Sequence, residues 1–216
     1  ARIKKTGLTF APEAGTERLR NILAKNFNLQ DFFKVIEQAY LSGYQRLKLY
    51  FMLGLPCEEL KDLDAIIELS SAASELRKKI NKSPARIGLS IGTLIPKPHT
   101  PFQWLGMEGL DSIIYKQGYL KKRTKNNKLT FSFHNPYMSL LEAALSRGDR
   151  RLGQVIFSAY KQGARFDAWG NHFRFDYWQQ AFRESNLNPD FYLRAKTKDE
   201  VLPWDIIDLG VSKKAL

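Results

Sequence analysis

Three short loops hold the residues whose types and spacing could do chemistry, and each follows an apolar run. "LYFMLGLPCEE" (49–59) is apolar from Leu49 to Leu53, breaks on Gly54-Leu55-Pro56, then presents Cys57 and the carboxylates Glu58 and Glu59. "FAPEAGTER" (10–18) sets Pro12, Glu13, Gly15 and Thr16 in a comparable position. "IPKPHTPFQW" (95–104) stiffens a loop with Pro96, Pro98 and Pro101 around Lys97, His99, Gln103 and Trp104. A glycine at a strand end carries no Cβ, so a planar ligand can approach the main chain there. An adjacent carboxylate accepts from an amine or a ribose hydroxyl. One such turn is an ordinary strand-to-helix junction with an acid at the helix start. Three in succession on one edge point to a ligand site, and its loop makes His99 a candidate for cofactor or substrate contact.

Other chemistry is restricted by what the chain lacks. With Cys57 as its single cysteine, it forms no intrachain disulfide and cannot by itself ligate a structural zinc or an iron–sulfur cluster. Cys57 has no histidine near it in sequence and reads as a turn cysteine. His99, His134 and His172 are too scattered to define a metal site. Net charge is +12, with dense basic runs "RKKINK" (77–82) and "KKRTKNNK" (121–128). Such runs are ordinary solvated helix ends, with RNA as a candidate partner. The aromatic segment "RFDAWGNHFRFDYW" (165–178) reads as core packing rather than as a platform for a base. No run approaches the roughly 18 to 20 apolar residues of a membrane span, and the amino-terminal residues lack the apolar core of a signal peptide. The expectation is a cytoplasmic protein with no membrane partner.

The loops need strands to position them. Strands are expected at 6–11, 45–53 and 86–96. Between them lie a helix capped by Thr16, a second over "LQDFFKVIEQAYLSG" that stops on Gly43, and a third of five to six turns from Leu60 to Ile80. Strands that are apolar rather than alternating, separated by helices, describe βαβ units on a parallel sheet, where ligands meet the carboxyl ends. The expected fold class is therefore α/β. Beyond Pro101 the chain turns helical and aromatic, with helices near 108–122, 137–147, 151–163 and 174–185 and a short strand at 129–134. The predicted division is 1–106 and 107–216.

"GLTFAPEAGTERLR", "LYFMLGLPCEE" and "IPKPHTPFQW", in this order and at these separations, resemble the second half of a radical S-adenosyl-L-methionine (AdoMet, SAM) barrel. The likeness is closest to the subgroup with a B12-binding domain, and "LLEAALSRGDRRLGQVIFSAYKQGARFDAW" (140–169) and "LPWDIIDLGVSK" (202–213) resemble that subgroup's region after the barrel. The resemblance implies a partial (β/α) TIM-type barrel of about three parallel strands with helices, followed by a mostly helical extension. It implies that Glu13, Gly15 and Thr16 meet the ribose and amino-acid end of AdoMet, with Arg18 a candidate partner of its carboxylate. Met52, Leu53 and Gly54 match the backbone against which adenine lies, and Pro98 and His99 belong to the loop that closes over it.

In a complete enzyme of this kind a [4Fe-4S] cluster reduces AdoMet, and the 5′-deoxyadenosyl radical abstracts a substrate hydrogen. The cluster motif C-x3-C-x2-C and the first strands are missing from this sequence. The resemblance therefore implies either an excerpt of a longer parent, inactive alone, whose partner is the amino-terminal half of the barrel, or a split or degenerate protein whose cluster half is elsewhere. Cobalamin is a candidate cofactor of that parent. The competing expectation is a non-catalytic basic α/β module that binds RNA or a protein partner and keeps the barrel pattern as scaffold.

Overall fold

The computed structural model describes residues 7–124 and 127–213. Thr6 of the first expected strand, and Lys125 and Asn126 of a basic run, lie outside the described residues. The chain forms two compact units, one running through Leu94 and resuming over Asp111–His134, the other made of Ile95–Leu110 and the residues from Asn135 onward.

The first unit is α/β. Its strands β1 (Leu8–Glu13), β2 (Arg46–Leu53), β3 (Arg86–Thr93) and β4 (Leu129–Phe133) form one sheet in the order β1-β2-β3-β4. Every neighbouring pair is parallel. Leu47, Leu49, Phe51 and Leu53 of β2 are buried, while Arg46, Lys48 and Tyr50 are exposed and Met52 is half-buried. Strand β3 follows the same rule with Ile87, Leu89 and Ile91 buried and Gly88, Ser90 and Gly92 half-buried. The expectation of strands without alternation is corrected here: Tyr50 and Met52 lengthen the apolar run of β2 but stand on the other face of the sheet. The buried face packs on Phe32, Ile36 and Tyr40 of α2 (Leu29–Leu41), Leu63, Ile66, Leu69 and Ala73 of α3 (Leu60–Asn81), and Ile113 and Leu120 of α4 (Leu110–Arg123). The Tyr40 hydroxyl donates to the Ala73 carbonyl at 2.9 Å and fastens α2 to α3.

Strand β4 was expected within the helical half, yet it extends the sheet, from Ile87 opposite Leu129 to Ile91 opposite Phe133. Its alternation explains the placement: Leu129, Phe131 and Phe133 join the core, whereas Thr130 and Ser132 are exposed. Four parallel strands are therefore present among the described residues instead of about three, and β4 and most of α4, though they follow residue 106 in the chain, belong to the unit that holds the sheet.

The second unit contains α5 (Pro136–Arg147), α6 (Leu152–Gln162), α7 (Phe175–Glu184) and α8 (Pro189–Leu193). Helix α6 packs on α7 and α5 on α8, around a core that includes Leu141, Val155, Ala159, Trp178, Phe182 and Tyr192. The sequence reading omitted α8, a five-residue helix capped by Asn188 with Pro189 in its first turn. No helix among the described residues is long and apolar enough to cross a membrane.

Arg147, the last residue of α5, is fully buried. Its guanidinium donates to the carbonyls of Tyr192 at 3.0 Å, Pro96 at 2.9 Å and Arg194 at 2.9 Å, joining the start of this unit to the end of α8. Burial lowers its pKa, as does the charge of Arg194, against the opposing pull of Glu200. Replacing Arg147 with methionine removes the charge but strands carbonyls that cost about 1 to 3 kcal/mol each when buried and unsatisfied. Arg147→Met is expected to lower stability by about 3 kcal/mol or more in urea unfolding. An unchanged midpoint would show that these carbonyls find other partners.

Candidate functional site

The expected residues of the first unit gather at the carboxyl ends of β1 and β2, and most of them are tied to one another. Thr16 begins α1 (Glu17–Ile22): its hydroxyl accepts from the Leu19 N–H at 3.5 Å and donates to Asp62 Oδ1 at 2.5 Å. Arg18 donates from Nη2 to Asp62 Oδ2 at 2.5 Å and to the Cys57 carbonyl at 2.9 Å. Asp62 stands in the first turn of α3 and accepts from the Glu59 N–H at 2.8 Å, in a capping box that Glu59 reciprocates. Its side chain is 1% exposed. Burial pushes its pKa up, and the Thr16 hydroxyl, the Glu59 amide and the Arg18 guanidinium together outweigh that and leave it below the ordinary carboxylate range.

Gly15 serves the same junction. A Cβ there would come within 2.4 Å of the Ile66 nitrogen and 2.6 Å of the Asp62 carbonyl oxygen, so the glycine lets this loop lie against the backbone of α3. Asp62 went unremarked in the sequence reading. The spacing Glu59-x-x-Asp62 ahead of an apolar helix is the signal that could have found it.

Gly54 has φ of 79°, a left-handed conformation that favours glycine whatever lies beside it. Its N–H donates to Glu58 Oε2 at 3.0 Å, and Lys116 Nζ of α4 pairs with the same oxygen at 2.7 Å. Glu58, 1% exposed in its side chain, therefore shapes the turn from within. The Leu53 side chain is fully buried, and its carbonyl accepts from the Leu94 N–H at 2.8 Å. Glu13 ends β1 with φ of 67° after a register irregularity, and its carboxylate meets Lys25 at 3.3 Å while staying partly exposed. Cys57 is exposed.

Met52 differs from these neighbours, because it stands on the open face opposite Gly92. That face continues across the strands as the rows Thr9–Lys48–Gly88–Thr130 and Tyr50–Ser90–Ser132, short on β3 and β4 and long on β2, where Lys48 Nζ sits over the Tyr50 ring at 4.6 Å. A Cβ at Gly88 or Gly92 would meet no atom nearer than 3.9 Å.

Pro98 and His99 belong to the second unit. There His99 lines a cavity of about 320 Å³ with Gln103, Asp205, Ile207, Asp208 and Lys213. Gln103 is buried, and its Oε1 accepts from Trp204 Nε1 at 2.7 Å and from the His99 N–H at 3.2 Å. Gln103 Nε2 and His99 Nε2 are buried with no hydrogen-bond partner among the described residues. No group of three or more His, Cys, Asp or Glu among the described residues is arranged to hold a metal ion.

The chain is similar to an uncharacterized protein of Methanocaldococcus jannaschii, 34% identical over 155 residues, a match that takes in 71% of this chain. It spans about a third of that relative, 33% of its length. No family model and no solved structure matches the chain.

Because the folded pKa of Asp62 is depressed, its stabilising contribution is complete above the ordinary aspartate value of about 3.9 and is lost as pH falls through the folded value. Asp62→Asn is expected to cost about 2 kcal/mol at neutral pH, the scale of hydrogen bonds to a charged group. The gap between variant and wild type should stay constant down to about pH 5 and close below about pH 4. A gap that does not change with pH would mean the charge of Asp62 is not what holds the junction.

Proposed function

We propose that this chain is the AdoMet-binding and substrate-side part of a radical SAM enzyme, with the amino-terminal half of the barrel supplied by a longer parent. The observation that carries the reading is the open face of a parallel sheet whose carboxyl end is lined by Met52 and Gly92 and bounded by Gly54. Parallel sheets are ordinarily covered on both faces. The glycines and serine of β3 on this face, Gly88, Ser90 and Gly92, leave room for a planar group to lie on that strand beside Met52.

The residues fit the cofactor unequally. Met52, Gly92 and the backbone at Gly54 offer adenine an apolar contact and a close approach, and Glu13, partly exposed, can accept from a ribose hydroxyl or the amino group. Thr16 and Arg18 are committed to Asp62, so their part is to hold the β1–α1 loop against α3 and keep Glu13 in place. Gly15 packs the same loop. AdoMet supplies the radical chemistry when it is bound and reduced, and the protein binds it, orients it and excludes water. A [4Fe-4S] cluster does not fit this chain, whose single cysteine cannot hold one. Its ligands belong to another segment in this reading.

Gly54→Val would confuse lost binding with backbone strain, since Gly54 is left-handed. Gly92→Leu is the cleaner probe, because the space beside Gly92 is open. Titrating AdoMet into the isotopically labelled chain, the expected result is weak binding that shifts the amides of Glu13, Met52, Gly54 and Gly92. Gly92→Leu should abolish it and Cys57→Ser should leave it unchanged. Shifts absent at millimolar AdoMet, or unaffected by Gly92→Leu, would overturn the reading.

A further inference from the structure

The segment from Arg150 to Arg165, "RRLGQVIFSAYKQGAR", contains four cations and no carboxylate. Ile156, Phe157 and Tyr160 of α6 are about half exposed, at 48%, 50% and 54%. Lys161 Nζ sits over the Phe157 ring at 4.5 Å, and the Arg165 guanidinium over the Tyr160 ring at 3.6 Å. Immediately after Arg165, Phe166 and Trp169 stack on one another with centroids 5.5 Å apart and planes 13° from parallel. Both rings are exposed, Phe166 at 67% and Trp169 at 63%, and His172 stands at their edge. Core packing was expected for this whole aromatic segment. It holds for Phe173, Phe175, Tyr177 and Trp178 and fails for Phe166 and Trp169.

A stacked pair spends one face of each ring on the other and leaves the outer faces to solvent. Phe166 is also held at φ of 56°, an uncommon conformation for a bulky residue. Lys161 and Arg165 flank these flat apolar faces, and α6 itself has no acid in its sequence, while Glu184 of α7 accepts from Ser158 and Gln162 and Asp167 lies between the two rings in sequence; the exposed rings with their flanking cations match a ligand of flat rings joined by phosphates. We propose that this surface binds single-stranded RNA, with bases stacking on Trp169 and Phe166 and the backbone following Lys161 and Arg165. RNA loops and ends present unstacked bases, whereas a duplex offers none for stacking. The formal charge of +12 favours the same partner at longer range. This inference is independent of the AdoMet reading, because it uses other residues in the other unit.

The test is fluorescence anisotropy with an unstructured, labelled RNA of about 12 nucleotides, within the usual site size of such surfaces. Trp169→Ala and Phe166→Ala change exposed side chains, and circular dichroism should report an unaltered fold. Each is expected to weaken binding roughly tenfold or more. Lys161→Gln and Arg165→Gln should each reduce the slope of log affinity against log salt by about one, and a duplex of the same sequence should bind far more weakly. Absence of binding at low salt, or binding that Trp169→Ala leaves intact, would overturn the proposal. So would sedimentation showing that the wild type is a dimer which Trp169→Ala dissociates without change in RNA affinity, since the surface would then join two copies of the chain.

Discussion

Asp62 joins loops that lie far apart in the chain. Its two oxygens take a hydroxyl from Thr16, 46 residues away, a guanidinium from Arg18, and the first free amide of its own helix. Removing a carboxylate from water is costly unless its lone pairs are filled, and here three donors of different kinds fill them. Gly15 completes the junction by letting the loop lie on the α3 backbone, where any side chain would collide with main-chain atoms. The carboxyl edge of the sheet takes its shape from this contact. With Thr16 and Arg18 fixed inward, Glu13 and the rim of β2 are left to face outward. Glu58 does the same for β2, holding the Gly54 amide from within while its charge is paired with Lys116. Two buried carboxylates thus act as structural anchors in a place where position alone suggests ligand contacts.

The second constraint is the one-sided sheet. Helices α2, α3 and α4 cover the Leu47–Leu49–Phe51–Leu53 face, and the opposite face carries glycine, serine and threonine with Lys48, Tyr50 and Met52. The small side chains belong to β3 and β4, Gly88, Ser90, Gly92, Thr130 and Ser132, beside the longer ones of β2. In the proposed reading a nucleoside uses the room at Gly92, and the rest of a barrel would close over it. The strand arrangement and the proposed binding surface are then two consequences of one pattern, buried apolar residues at every second position, with small residues between them on β3.

Much of this was legible in the sequence. The long helices followed from apolar spacing, α1 from its Thr16 cap, and β2 and β3 from their turn-bounded runs. What escaped depended on contacts distant in the chain. Strand β4 has five residues, and only its pairing with β3 places it in the sheet. Gly15 looked like room for a ligand because its proximity to Ile66 has no local signature. Arg18 and Thr16 looked available because their partner, Asp62, lies beyond two helices and a strand. Lys116 gave no signal at all, since a lysine in a basic helix is ordinarily solvated. The exposure of Phe166 and Trp169 was equally hidden, because their neighbours Phe173 and Trp178 in the same aromatic run are core residues. Composition reports that such rings exist, and only packing distinguishes those that remain outside.

In the proposed reading AdoMet lies on the open face of the sheet at its carboxyl end. Photolabelling with an 8-azido derivative of AdoMet, followed by mass spectrometry of the labelled peptides, addresses it most directly. Label is expected on the peptides carrying Leu49–Gly54 and Ile87–Thr93, removed by competing AdoMet. Label confined to other segments, or label that AdoMet does not displace, would contradict it.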